Sequence, residues 1–126
     1  MRSVPLVTGL ASLAIGSTAS AEPTSEVPDY LQDVAPILTK YCAGCHNDGD
    51  REGGLSLESF AAVQQGTGSE PVVLPGDVSG SRLIRVLTGG DPAMPPEDEP
   101  QPSEDDIAVL TRWVESGAKG PDGAEP

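Results

Sequence analysis

The sequence predicts an all-α protein of four to five short helices joined by long loops. Three observations carry this. Apolar residues recur at three- and four-residue spacing in several separate segments, and the only β-like run, Val72-Val73-Leu74, is too short to establish a sheet. The 15 Gly and 13 Pro in 126 residues leave room only for short regular elements. Taken in order, Leu31, Val34, Leu38, Tyr41 and Cys45 share one helical face, but Pro36 disfavours a helical residue before it. A lead-in turn and then a helix over about 36–43 are expected. A polar, Gly-rich loop follows over 47–54, and 57–65 reads equally as a short helix or as an irregular loop with Phe60 tucked inward. The stretch 66–76 reads as loop. Ser79 or Ser81 is placed to cap a helix carrying Leu83, Ile84, Val86 and Leu87, stopped by Gly89-Gly90. In the last helix Ser103 is the N-cap with Asp106 three residues on. Ile107, Leu110 and Val114 repeat on one face there, Trp113 joins them or their margin, and Gly117 marks the stop. The tail over 118–126 reads as frayed.

The beginning of the chain has a different character. Arg2, an apolar run over 6–15 and the small residues Ala19-Ser20-Ala21 form the pattern of a cleaved secretory signal over 1–21. We expect a flexible lead over 22–29, one domain over 30–118 and a disordered tail over 119–126. The apolar run is about ten residues, short of the ~20 that a spanning helix needs, so the mature chain is not expected to insert in a membrane. An exported, periplasmic or extracytoplasmic location follows. The net charge of −13 repels nucleic-acid phosphates and anionic lipid heads, which excludes both as natural partners. A monomer is expected. Only Tyr30, Tyr41, Phe60 and Trp113 supply aromatic surface, and the composition approaches that of disordered chains. A core so thin calls for outside help.

Cys42-Ala43-Gly44-Cys45-His46 indicates its source. C-x-x-C-H is the attachment pattern of a c-type haem: two thiols one helical turn apart each add to a vinyl group, and the adjacent His becomes the proximal iron ligand. Three alternatives compete with it. A zinc site wants four ligands, and Cys42, Cys45 and His46 are the only Cys or His present. A thioredoxin-like pair belongs near a βαβ pattern, which is missing from the sequence. A Cys42 to Cys45 disulfide with His46 as bystander is the ordinary reading of two cysteines in an exported chain. Haem is favoured over all three, one covalent haem c with its iron per chain.

With one His, a second imidazole ligand is impossible within the chain, and Met1 leaves with the signal. Met94 is therefore the thioether available for the second axial position, in the proline-stiffened run Asp91-Pro92-Ala93-Met94-Pro95-Pro96. The alternative is a plain loop methionine and an open or water-filled sixth site. His and Met ligation together raise the reduction potential and fill both axial positions, which suits electron transfer.

From Asp33 to Ala118 the chain resembles small class I-type c-type cytochromes, and it is most similar to planctomycete-type cytochrome c domains. The resemblance rests on Asp33-Val34-Ala35-Pro36-Ile37-Leu38, on Cys42-Ala43-Gly44-Cys45-His46, on Gly54-Leu55-Ser56-Leu57 and on Leu74-Pro75-Gly76-Asp77. It continues through Ser81-Arg82-Leu83-Ile84 and Met94-Pro95-Pro96 to the run Leu110-Thr111-Arg112-Trp113-Val114-Glu115-Ser116-Gly117-Ala118. It implies a cytochrome c-like fold wrapped around one covalent haem, with the first and last helices crossing near it. It also implies Cys42 and Cys45 as thioether sites, His46 as proximal ligand and Met94 as distal ligand. As a solitary domain the protein is expected to be a diffusible carrier.

The favoured function is one-electron transfer between exported redox proteins, without an enzymatic reaction. The alternatives are a haem-bearing electron-acceptor subunit of an exported dehydrogenase, and a haem ligand-binding or peroxidase-type protein with an open iron site. Glu97, Asp98, Glu99, Glu104, Asp105 and Asp106 crowd the stretch after Met94. They read as a solvated loop and a favourable helix start, or as a docking patch for a basic redox partner. Arg51, Arg82 and Arg85 are either haem-propionate partners or exposed surface charges. If haem supplies most of the apolar core, the haem-free chain is expected to be largely unfolded, and circular dichroism checks this: a cooperative melt of the apo protein contradicts it.

Overall fold

The computed structural model describes Gly9 and residues 27–90 and 92–126. The expected signal over 1–21, Gly9 excepted, and residues 22–26 of the expected lead lie outside the described residues. Among those described the fold is all-α: the one β-type contact is an isolated antiparallel bridge between His46 and Arg51. No helix among them is long and apolar enough to cross a membrane.

The first element opens with a reciprocal cap. Gln32 N–H donates to Asp29 Oδ2 at 2.8 Å while Asp29 N–H donates to Asp33 Oδ2 at 2.7 Å. A π-helical turn, Tyr30–Val34, then runs straight into α1, Ala35–Tyr41. The expected irregular lead-in is thus helical, and Ala35 adopts right-handed helical angles (φ −56°, ψ −40°) although Pro36 follows it. The wide turn, with Val34 N–H reaching Asp29 O at 3.2 Å, relaxes the spacing before the Pro36 ring. Pro36 itself falls in the first turn of α1, where the change from π- to α-helical bonding lets a missing N–H cost least. The helix stops at Tyr41, two residues earlier than expected, because Cys42 and Ala43 N–H both turn to Leu38 O at 3.0 and 2.9 Å.

Of the two readings for 57–65, the helix holds for its second half. Ser59 Oγ accepts from Ala62 N–H at 3.1 Å and starts α2, Phe60–Gln65. Gly66 ends it at φ 63°, and a Cβ there would collide with the backbone of Glu70 and Pro71. The third helix, α3, spans Arg82–Leu87 with Ser81 at its N-cap, but the Ser81 side chain caps nothing. Fully buried, Ser81 Oγ accepts from Leu74 N–H at 2.8 Å and donates to Asp77 O at 2.7 Å, tying the preceding loop to the helix start. The last helix, α4, Glu104–Glu115, carries the full capping box: Asp106 N–H to Ser103 Oγ at 3.0 Å and Ser103 N–H to Asp106 Oδ2 at 3.1 Å.

Val34, Leu38, Leu110, Trp113 and Val114 are each under 2 % exposed and form the centre of the core. Tyr30 sits between Phe60 and Trp113, with ring centroids 5.2 and 5.8 Å away. The Tyr30–Val34 turn packs on α4, as does α3. Of the tail over 118–126, expected to fray, residues 118–120 are instead docked, while 122–126 are exposed. The Trp113 indole N–H, taken out of water, needs an acceptor and finds Lys119 O at 2.9 Å. Ala118 is buried, Gly120 lies against the Phe60 ring where a Cβ would clash, and Pro121–Gly123 forms a 3₁₀ turn.

The α4 cap makes a checkable contribution. Ser103→Ala is expected to lower the unfolding free energy of the haem-loaded protein by about 0.5–2 kcal/mol in a urea titration. The hydrogen bonds from Ser103, its backbone N–H first, hold the Asp106 carboxyl below its ordinary value. Its stabilisation is therefore full above the usual carboxylate pKa and lost as pH falls through the lowered folded value. Asp106→Asn is expected to weaken that acid dependence in melts recorded at decreasing pH.

Candidate functional site

The end of α1 delivers the cysteine segment to a cavity of about 480 Å³, within the size range of cofactor sites. Residues 42–45 form a turn in which His46 N–H returns to Cys42 O at 3.0 Å, so both thiols and the imidazole come off one compact coil. Cys42, Cys45, His46 and Met94 all line this one cavity. Leu57, Val72, Leu83 and Leu87 give it a largely apolar wall.

The imidazole is oriented. His46 Nδ1 lies 2.9 Å from Glu52 O, and since a carbonyl only accepts, the ring carries its hydrogen on Nδ1 and leaves Nε2 bare as a donor atom. A hydrogen-bonded second ring nitrogen is the arrangement typical of a metal-ligating histidine. The loop that supplies this carbonyl is closed by the His46–Arg51 bridge and by Asn47. Asn47 Nδ2 donates to Ala43 O at 2.7 Å, and its Oδ1 accepts from Gly49 and Asp50 N–H at 3.0 and 2.7 Å. One side chain thereby joins the end of the cysteine turn to the loop behind the histidine.

Cys42 and Cys45 are not bonded to each other. Burial pushes the Cys42 thiol up to about 11. The Cys45 thiol is also raised, first by the negative charge of Glu52 and then by desolvation, Glu99 and Asp50. A dithiol redox pair needs a thiol lowered toward neutrality, so the thioredoxin-like alternative lacks its activating environment. Among the described residues no group of three His, Cys, Asp or Glu side chains is gathered to hold a metal ion, which leaves the zinc alternative without a ligand set.

Two thiols, a bare imidazole nitrogen and a thioether around one largely apolar cavity fit a covalently attached, doubly ligated haem. Met94 is reached from the other side of the sequence: its N–H donates to Val86 O at 2.8 Å, fastening the methionine segment to α3. Asp91, in that segment, lies outside the described residues. Of the three arginines singled out as propionate partners, only Arg82 reaches the cavity wall, where it stands 3.9 Å from Glu70. Arg51 pairs instead with Asp48 at 3.5 Å, and Arg85 is exposed. Of the acidic run after Met94 only Glu99 lines the cavity, and sequence reasoning missed Lys40 and Glu52 in the wall and Asn47 behind it. The Asn47-x-Gly49-Asp50 run carried a turn signal that pointed to Asn47.

Residues 42–98 match the family model described as Planctomycete cytochrome C. No curated protein and no solved structure matches the chain. The matched segment begins at the first cysteine of the cavity and runs past its methionine. Asn47→Ala, which removes the bonds on both sides of the histidine loop, is expected to cost about 1–2 kcal/mol of stability by denaturant titration of the haem-loaded protein.

Proposed function

We propose that this planctomycete-type cytochrome c is a monohaem electron carrier that passes single electrons between exported redox partners. The observation that carries this reading is the convergence of Cys42, Cys45, His46 and Met94 on one cavity. In it Cys42 and Cys45 would hold the haem by thioether bonds, and His46 Nε2 and Met94 Sδ would be the donors to its iron. When bound, the haem iron supplies the one-electron change between ferric and ferrous states. The remaining work belongs to the chain. The Glu52 carbonyl fixes the His46 ring, and the apolar wall of Leu57, Val72, Leu83 and Leu87 limits water at the cofactor. Two protein donors leave no axial place for a substrate, which favours electron transfer over ligand binding or peroxidase chemistry.

The partner we propose is a redox protein with a basic docking face. Glu52 and Glu99 stand in the cavity wall, and together with Asp50 their charge reaches Cys45. Lys40 and Arg82 share that wall, so the negative charge is local to the Cys45 side of the cavity, and it is there that a complementary basic face would be steered.

Protein matured with its haem-attachment machinery is expected to give the pyridine haemochrome of a covalent c-type haem, and absence of covalent haem removes the whole reading. Its ferric spectrum should show the weak far-red band of methionine ligation, and Met94→Ala should abolish it. The reduced parent should bind carbon monoxide slowly and the variant rapidly. Stopped-flow reduction by a basic partner should slow as ionic strength rises; a flat rate would eliminate docking by charge.

A further inference from the structure

The loop that follows Met94 is held by one amide. Gln101 Nε2 lies 3.0 Å from Pro95 O, 2.9 Å from Pro96 O and 3.1 Å from Glu99 O. Its two hydrogens are shared among three carbonyl oxygens, a convergence that open solvent does not impose on an exposed glutamine. The need for it is local. Pro95, Pro96 and Pro100 have no N–H, and the backbone bonds recorded in this stretch are Met94 N–H to Val86 O at 2.8 Å and Glu99 N–H to Pro96 O at 2.9 Å. Carbonyl dipoles turned toward one point repel one another unless a donor stands between them. Gln101 also lies two residues before Ser103, the cap of α4, so the donor is anchored to the start of the longest helix. The carbonyls it collects belong to residues that share the cavity wall with Met94, namely Pro95, Pro96 and Glu99.

We propose that Gln101 is a positioning residue for Met94, clamping the loop after it to the start of α4 so that the thioether stays in the cavity wall. The proposal rests on Met94 being the second axial donor. Its work is to hold the loop closed against outside ligands: each opening of the loop withdraws the thioether and leaves an axial place that an external base can take. The apparent affinity for such a base measures how often the loop opens.

The test uses the haem-loaded full chain and imidazole as the probe. Gln101→Glu keeps the size of the side chain but at neutral pH has no hydrogen to give, and Gln101→Leu repeats the loss without the added charge. Both are expected to bind imidazole to the ferric protein about tenfold more tightly than the parent, the factor for losing one or two net hydrogen bonds, while retaining covalent haem. Ser59→Ala is the control, since it removes the cap of α2, a helix to which the clamp is not attached. It should lower the unfolding midpoint and leave imidazole affinity within about twofold of the parent. Parent-like imidazole affinity in both Gln101 variants, or an equal rise in Ser59→Ala, overturns the clamp. Met94→Ala separates this outcome from failure of the underlying reading: if it loses the far-red band, Met94 ligation stands whatever Gln101 does, and if it keeps the band, ligation and clamp fall together.

Discussion

Two thiols and an imidazole on one segment have to share a cavity with a thioether on another, in a chain poor in apolar residues, and the rest of the structure answers to that requirement. Leu57, Val72 and Leu83 show how it is met. Each is buried in the core and also lines the cavity, so the core and the cavity wall are one continuous surface. An apolar group filling the cavity therefore extends the existing core, at about 25 cal/mol for each Å² it covers. The chain nevertheless owns more core than its composition promises. Three of its four aromatics, Tyr30, Phe60 and Trp113, are gathered in one cluster against α4. A few large side chains placed together bury more than the same number scattered.

The loop after His46 serves the site in two ways at once. Its backbone, through Glu52 O, fixes the imidazole and leaves Nε2 bare, while its side chains, Glu52 and Asp50, place negative charge beside Cys45. Charge and hydrogen bond pull in compatible directions. A carbonyl acceptor on Nδ1–H raises the basicity of the other ring nitrogen, and until haem is attached the carboxylates near Cys45 favour its protonated thiol. Burial does the same for Cys42. The loop and the cysteine turn are joined by Asn47, so the position of the histidine is coupled to the turn that presents the cysteines.

What the sequence made legible was whatever depends on neighbours within one turn. The α4 cap is decided by Ser103 and Asp106 alone, and the structure has it as expected. The order of the helices, the stop at Gly117 and the cysteine motif are local in the same sense. The misreadings involve loop partners several residues away, which no spacing rule singles out, or energies set by packing. Pro36 argued against helix before it, but burial of Tyr30 and Val34 against α4 outweighs the local preference, and a π turn accommodates the ring. Ser81 had the residue type of a cap, yet its hydroxyl was claimed by Leu74 and Asp77, which no spacing rule connects to it. The tail looked polar and Gly-rich, but a buried indole N–H in α4 needed Lys119 O. The four residues named for the cavity were found from their chemistry, whereas its charged rim came from side chains that carry no motif.

The loops raise a different problem, because 15 Gly and 13 Pro deprive them of the regular backbone ladders that helices and sheets provide. Single polar side chains take over that task. Asn47 serves four backbone groups, Thr67 Oγ1 serves Glu70 and Ser69, Asp77 takes Gly80 N–H, Ser81 joins Leu74 to Asp77, and Gln101 gathers three carbonyls. These side chains are spread along the loops from the cysteine turn to the start of α4, so each long connection has its own internal tie. This explains how a chain with so little core holds long connections in defined shapes, since local side-chain bonds fix a loop without burying it. The stiffness is greatest where the site needs it. Asn47 closes the loop behind His46 and Gln101 closes the loop behind Met94, so the two proposed axial donors are each backed by a polar clamp rather than by packing.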